Sequence, residues 1–285
     1  MTTLKIATYN IHKGFSQFNR RMVLHELRER LRELDADIMF LQEVQGEHDL
    51  HGLKHASYPA APQHEFLADD FWAHHAYGMN AVYEEGHHGN AILSRFPILQ
   101  SRNKDVSAHR FEHRGLLHCE IDLNGQHIER EGGGEAAGNP PAHPLRVERE
   151  GGGEAAGHPP AYPLRVHCFC AHFGLFAKGR REQMNSLIEH VLAGVPPDAP
   201  LVIAGDFNDW RNQLSRALAK ELGVRDVFDL HSGKPARSFP ARLPLFRLDR
   251  IYVRGFSVQR CDVHTGGKWR RLSDHAALSA QLERL

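Results

Sequence analysis

Hydrophobic and polar positions along this chain of 285 residues switch repeatedly between a period of two and a period of three to four. Leu4, Ile6 and Thr8 alternate with Lys5, Ala7 and Tyr9, which predicts a strand ending at Asn10. Leu24, Leu27, Leu31 and Leu34 then recur at intervals of three and four with Arg and Glu between them, predicting an amphipathic helix from Met22 to Leu34. Asp37 to Leu41 is a short apolar run that delivers Gln42-Glu43 at its end, the pattern of a buried strand. The segment from His64 to Tyr77 is read as helical. Asn90 to Ser94 and Leu116 to Leu123 are read as strands, with Asn124-Gly125 as a hairpin turn after the second.

The rhythm continues downstream. Val166 to Ala171 predicts a strand ending at His172, and Met184, Leu187, Ile188, Val191 and Leu192 predict a helix that stops near Gly194 and Pro196-Pro197. Leu201 to Ala204 is a buried strand running into Gly205-Asp206-Phe207-Asn208. Leu214, Ala217, Leu218 and Leu222 mark a further helix, and Leu248 to Val253 and Ala276 to Leu282 two last strands. Interleaving without a break predicts one α/β domain over residues 1–285. One segment lies outside the pattern: Glu129 to Val147 is repeated as Glu148 to Val166, differing only at Asn139/His158 and His143/Tyr162. Each copy carries Gly-Gly-Gly and Pro-Pro, which suit neither a helix nor a ladder. It is read as a tandem duplication that lengthens a flexible loop insertion at about 127–163.

Composition narrows the class. Thirty-five basic residues balance thirty-five acidic ones, so the net basic excess usual in proteins that wrap nucleic acid is missing, although local patches are still allowed. The four cysteines, Cys119, Cys168, Cys170 and Cys261, have no zinc-ligand spacing and are read as reduced, partly buried thiols. No apolar run is long enough to span a bilayer, and the N-terminal residues read as a strand rather than a signal peptide. A cytoplasmic location, no membrane insertion and a monomeric state are the expectations. Adjacent histidines at 74–75 and 87–88 point in different directions on a regular element, and are read as solvated rather than metal-binding.

Several strand ends deliver a polar group: Asn10, Glu43, His172, Asp206 with Asn208, Asp249, and Asp274 with His275. Ligands bind beside strand ends in open α/β sheets, so these are candidates for one shared site. Singly, each is more often a turn former or helix cap. Together they supply carboxylates, amides and two imidazoles, a set better suited to a hard cation than to zinc.

Five motifs make the reading specific. Thr8-Tyr9-Asn10-Ile11, Leu41-Gln42-Glu43-Val44, Gly205-Asp206-Phe207-Asn208, Leu248-Asp249-Arg250-Ile251 and Ser273-Asp274-His275 stand in the order and rough spacing of the endonuclease/exonuclease/phosphatase family. The chain resembles that family from residue 4 to 282, apart from the duplicated loop. The resemblance implies a four-layer α/β sandwich, two β-sheets face to face with helices outside. It also implies a divalent-metal-dependent hydrolase of phosphate esters that uses Mg²⁺, with Mn²⁺ as a substitute. It assigns Glu43 as the principal metal carboxylate, with Asn10 and Asp274 assisting. Asp206 and Asn208 resemble the pair that positions the attacking water and the phosphate. His275 resembles the imidazole at the scissile phosphate, and Asp249 the group that orients it. His172 matches a second histidine of the deoxyribonuclease and sphingomyelinase branches, which leans away from the abasic-site enzymes. The favoured general base is Asp206.

Three substrate classes follow: nucleic acid (DNA or RNA), a lipid head group, or a small soluble ester. The leading expectation is a phosphodiesterase or endonuclease, with a phosphatase or phospholipase-type enzyme as the alternative. An inert binding module of the same fold is the rival from another class. Gly89 and Arg95 are read as structural, and Arg114 as equally suited to packing or to a phosphate. Because the duplicated segment ends in Pro-Leu-Arg-Val in both copies, deleting Glu148 to Val166 leaves an intact start for the following strand. The expected result is a melting temperature and turnover close to those of the full chain; a large drop in either would show that the loop is not passive.

Overall fold

The computed structural model describes residues 3–17, 21–110, 112–124 and 164–285. Twelve strands among these form two six-stranded sheets. The first contains β1 (Thr3–Asn10), β2 (Ile38–His48), β3 (His74–Tyr83), β4 (Gly86–Ser94), β11 (Phe256–His264) and β12 (Ala277–Arg284), in the order β11-β12-β1-β2-β4-β3. The second contains β5 (Ile98–Asp105), β6 (Gly115–Asp122), β7 (Arg165–His172), β8 (Leu201–Asp206), β9 (Arg225–Asp226) and β10 (Asp249–Arg254), in the order β5-β6-β7-β8-β10-β9. Each sheet is mixed. The parallel pairs are β1 with β2 and β7 with β8, each joined through a helical crossover.

Side-chain alternation explains the layers. Leu4 and Ile6 of β1, Ile38 and Phe40 of β2, Cys168 and Cys170 of β7, and Val202 and Ala204 of β8 point between the sheets into one core. Ala7, Tyr9, Met39 and Leu41 point the other way, onto Leu24, Leu27 and Leu31 of α1 (Leu24–Glu33) and Leu67 of α3 (Gln63–Ala68). Phe169, Leu201 and Ile203 meet Leu187 and Val191 of α4 (Ala177–Gly194) and Leu218 and Leu222 of α5 (Leu214–Leu222). Helix, sheet, sheet, helix is the sandwich expected from the sequence. Two further short α-helices, α2 (His51–Lys54) and α6 (Val227–Ser232), complete the α-helices among the described residues, the latter capped by the Asp226 carboxylate on the Phe228 and Asp229 amides.

The helix expected from His64 to Tyr77 is corrected. Only Gln63–Ala68 is helical; Asp69, at φ 41°, ends the turn, and His74–Tyr83 is β3. Pairing of β3 along the whole of β4 outweighs the weak local pattern. Between them Trp72 is fully buried and donates to the Ala36 carbonyl at 2.8 Å. The duplicated loop, 127–163, and Gly125 of the expected turn lie outside the described residues. All four cysteines are free, three of them buried. Among the described residues no helix is long and apolar enough to cross a membrane.

Several histidines serve the interior as neutral aromatic rings. His118 stacks on Phe169 at 4.1 Å between ring centres and shares a hydrogen bond with His167. Burial, and the positive charge that His167, His190 and Arg102 would present, push its pKa down to about 3. His64, stacked on Tyr77 at 4.7 Å, is pushed down to about 4, chiefly by burial. An unfolded histidine titrates near ~6.5, so below that pH the unfolded chain binds more protons than the folded one. The stability these rings contribute is complete above about pH 6.5 and is lost as pH falls toward 4 and then 3. Chemical denaturation at stepped pH should therefore show stability declining from pH 6.5 downward, and His118→Phe should flatten the decline. Truncating Trp72→Ala should cost about 3–5 kcal/mol in the same assay.

Candidate active site

Cross-strand register builds one half of the site. In the second sheet His172 of β7 lies opposite Asp206 of β8, and Asp206 opposite Asp249 of β10, so three polar residues form a row across three neighbouring strands. The first sheet brings Asn10 at the end of β1 and Glu43 of β2, with Asp274 and His275 immediately before β12. All are buried except Glu43 and Asp274, which are half-buried.

Local backbone devices aim these groups. Glu43 has φ 54° and lies where the β2–β4 register breaks between Leu41 and Val44; this bulge turns its carboxylate toward Asn10. Gly205 has φ 146°, and a Cβ there would lie 1.9 Å from the Ala171 carbonyl oxygen. The glycine of the Gly-Asp-x-Asn motif thus lets β8 approach β7 closely enough for Asp206 to meet His172. Asn208, at φ 47°, has its backbone N–H bonded to Asp206 Oδ1 at 2.9 Å and donates its side-chain amide to the Phe173 carbonyl.

Asp206 is the centre. Its Oδ2 accepts from Asn10 Nδ2 at 3.2 Å and lies 3.6 Å from both His172 Nε2 and His275 Nε2. The same Asn10 amide nitrogen is 3.2 Å from Glu43 Oε1, so one side chain links carboxylates from the two sheets. His275 Nδ1 is 2.8 Å from Asp249 Oδ2. Burial raises the Asp206 carboxyl to about 6 against the opposing pull of His275. Burial also opposes a charge on His275, but Asp249 and Asp206 outweigh it and lift the imidazole to about 10. His172, buried and facing the positive charge of Arg114 and His275, is driven well below the ordinary histidine range. The site therefore pairs a charged imidazole with a neutral one, on either side of one carboxylate.

The donor set suits a hard cation. Asp206, Asp249 and His275 present ligand atoms within 4.8 Å of one another, and Glu43 joins them through Asn10. Asp249 Oδ1 is buried with no hydrogen-bond partner. This cluster contains no cysteine, so the set is oxygen-rich.

Asn10, Glu43, His172, Asp206, Asn208, Asp249, Asp274 and His275 come together here, whereas Arg250, beside Asp249 in its motif, is turned by alternation to the opposite face. Arg250 is fully buried, hydrogen-bonded to Asn212 and 3.7 Å from Asp226. Gly89 and Arg95 are structural as expected: a Cβ on Gly89 would collide with the Gly78 carbonyl, and Arg95 pairs with Asp35 and Asp37 while lying over Phe71. Two contributors were not singled out, and a third was read otherwise. Ser273 donates to the Asn10 carbonyl at 2.7 Å and accepts from the His275 amide, locking β1 to the Ser-Asp-His turn. Phe239 packs on the His275 ring at 4.9 Å. His88, read as solvated, is instead half-buried, and Glu43, Lys13 and Arg114 all act on its charge. The serine was visible in the motif, whereas the other two depend on loop and strand pairings that no local pattern encodes.

A sequence profile described as the Endonuclease/Exonuclease/phosphatase family matches residues 7–275, and the chain belongs to that family. Over 280 residues it is 41% identical to Uncharacterized protein YbhP of Escherichia coli K12, covering 98% of this chain and 96% of that one. The fold is shared with zebrafish (D. rerio) TDP2, solved with a single-strand DNA product, at TM-score 0.65 and 17% identity over 99% of this chain and 100% of that one. It is shared too with a mannosyl-6-phosphatase of Bacteroides thetaiotaomicron, at TM-score 0.64 and 16% identity over 98% and 99% of the two chains.

Removing the Asp249 carboxylate tests the electrostatic reading. In Asp249→Ala the His275 imidazole should titrate well below about 10, because its nearest negative charge is gone. Imidazole NMR signals followed across pH would report the change, and an unmoved His275 titration would contradict it. Gly205→Ala should be destabilised by several kcal/mol or fail to fold, from its clash with Ala171.

Proposed function

We propose that this chain is a Mg²⁺-dependent hydrolase of phosphate diesters that works by in-line attack of water. The observation that carries the reading is the surrounding of Asp206 Oδ2 by the Asn10 amide and two imidazole Nε2 atoms of opposite protonation preference. A phosphodiester resists attack because its oxygens are negative, so catalysis needs offset charge, an oriented water and donors for the oxygens where charge develops.

Glu43 and Asp274 hold the cation in this reading, with Asn10 orienting Glu43 and Asp206 toward it. Mn²⁺ could take the place of Mg²⁺ on the same oxygens. A cation held there would offset phosphate charge and stabilise the leaving oxygen. Asp206 orients the water and accepts its proton; a carboxyl with pKa about 6 is a better base than an ordinary aspartate, yet is largely ionised near neutral pH. Asn208, hydrogen-bonded to both β8 and the Phe173 carbonyl, fixes the phosphate beside that water. His275, held charged and oriented by Asp249, donates from Nε2 to a non-bridging oxygen. His172 contributes a neutral imidazole to the leaving-group side.

Variant kinetics test these assignments. Asp206→Asn is expected to lower kcat by about 10²–10⁴-fold with its fold intact. Glu43→Gln should raise the Mg²⁺ concentration needed for half-maximal rate more than it changes the melting temperature. Turnover of Glu43→Gln equal to wild type at limiting Mg²⁺ would remove Glu43 from the metal.

A further inference from the structure

Immediately before the Ser273-Asp274-His275 turn the surface opens into a cavity of about 810 Å³. Three parts of the chain wall it: α1 with the residues that precede it, the loop carrying Arg242, and the segment from Gly267 to Leu272. Among the described residues its only apolar side chain is Leu272, which packs with Leu24 and Leu27 in the core under α1. None of the residues gathered around Asp206 lines it. The cavity therefore stands apart from the reacting groups, on the helix side of the turn that carries Asp274.

Its charge is unbalanced. Arg21, Arg30, Arg242, Lys268, Arg270 and Arg271 line it, against only Glu26 and Glu29. Glu26 is already committed: it accepts two hydrogen bonds from Arg21, at 2.6 and 2.9 Å, and that contact, ahead of Lys268 and Arg30, holds its carboxyl below the ordinary range. Glu29 lies 3.6 Å from Arg28, and Arg30 pairs with Glu33. That leaves Arg242, Lys268, Arg270 and Arg271, all exposed and none in an ion pair among the described residues. Cations gathered around one hollow repel one another. A chain of zero net charge has no general basic excess to scatter them there.

Backbone geometry brings them together. Gly266 and Gly267, at φ 75° and 45°, turn the chain from the end of β11 into the 3₁₀ turn Trp269–Arg271, so that Lys268, Arg270 and Arg271 reach one cavity from a single short segment. Arg242 comes from a separate loop, where the neighbouring Ala241 N–H bonds to the Asp274 carbonyl at 2.6 Å. Both segments that carry unpaired cations are thus tied to Asp274, one through the chain and one through this hydrogen bond.

We infer that this cavity binds a compact polyanion carrying two or more phosphate groups, as an effector distinct from the ester handled at Asp206. A guanidinium offers paired N–H donors that match phosphate oxygens, and three of the four unpaired cations are arginines. The volume, about 810 Å³, lies in the range of small-molecule sites and exceeds what a single phosphate fills. No aromatic ring lines it, so nothing there would hold a base or another flat group, and recognition rests on charge alone. A ligand spanning Arg242 and Arg270 clamps together the two segments that flank Asp274, which couples the cavity to the strand-end cluster.

Isothermal titration of tripolyphosphate into the whole chain, dialysed free of divalent metal, tests the site without any turnover. Wild type and Asp206→Asn should bind alike, with affinity falling as salt is raised, and inorganic phosphate should bind about tenfold more weakly or worse. Arg242, Arg270 and Arg271 are exposed, so replacing all three by Gln should leave the melting temperature of the free protein unchanged while weakening tripolyphosphate by about a hundredfold. Hydrogen exchange at the Ala241 amide should slow when the anion binds. Wild type that binds neither anion would overturn the inference, as would a triple variant that binds like wild type. Affinity lost in Asp206→Asn alone would place the anion at the strand-end site instead. Equal binding of inorganic phosphate, or an Ala241 amide unaffected by tripolyphosphate, would contradict a ligand that spans the two segments. Each outcome is read without catalysis, so failure here leaves the hydrolase reading where it stands.

Discussion

The site depends on a single buried contact between the sheets, the Asn10 amide bridging Glu43 Oε1 and Asp206 Oδ2. It joins residues 196 positions apart in the chain, at the meeting of two sheets whose common core is largely apolar, with the buried Gln42 and Asn90 side chains hydrogen-bonded across it. Carboxylates placed together away from water repel one another and lose hydration. Here an amide nitrogen, two imidazoles and a backbone N–H gather around Asp206 and offset that cost. The same crowding keeps one imidazole charged and the other neutral. Stability and chemistry therefore draw on the same atoms, and the remaining unpartnered Asp249 oxygen marks where compensation among the described residues runs out.

Sheet geometry supplies that arrangement economically. His172, Asp206 and Asp249 need no loop to find one another, because strand register sets them side by side. The first sheet needs more backbone distortion: a positive φ at Glu43 in a β-bulge, and the Ser273 hydroxyl clasping the end of β1. Gly205 does on the other side what no larger residue could, bringing β8 against β7. Behind the site, alternation along β10 buries Arg250 on the opposite face beside Asp226, so a residue adjacent to Asp249 in sequence takes no part in the cluster.

Much of this was legible before any coordinates. Buried strands such as Leu201 to Ala204 declare themselves by continuous apolar runs, and the polar residues that end them fall at one edge once the strands are packed. The four-layer architecture followed from the motif order. What escaped was decided by distant pairing. His74–Tyr83 carries too weak an alternation to reveal β3 without β4 beside it, and β5 and β11 are mostly polar edge strands. Neither the bulge that turns Glu43 inward nor the placement of Phe239 on His275 has a local signature. Nor does a sequence say which leucines stay outside: Leu243 and Leu245 are exposed in a loop that the Ala241 N–H pins to the Asp274 carbonyl.

Hydrolysis of bis-p-nitrophenyl phosphate in ¹⁸O-labelled water, with and without EDTA, tests the central claim most directly. The account predicts label in the phosphate product, turnover abolished by EDTA and restored by Mg²⁺. Phosphate free of label, or turnover that persists after the metal is removed, would contradict it.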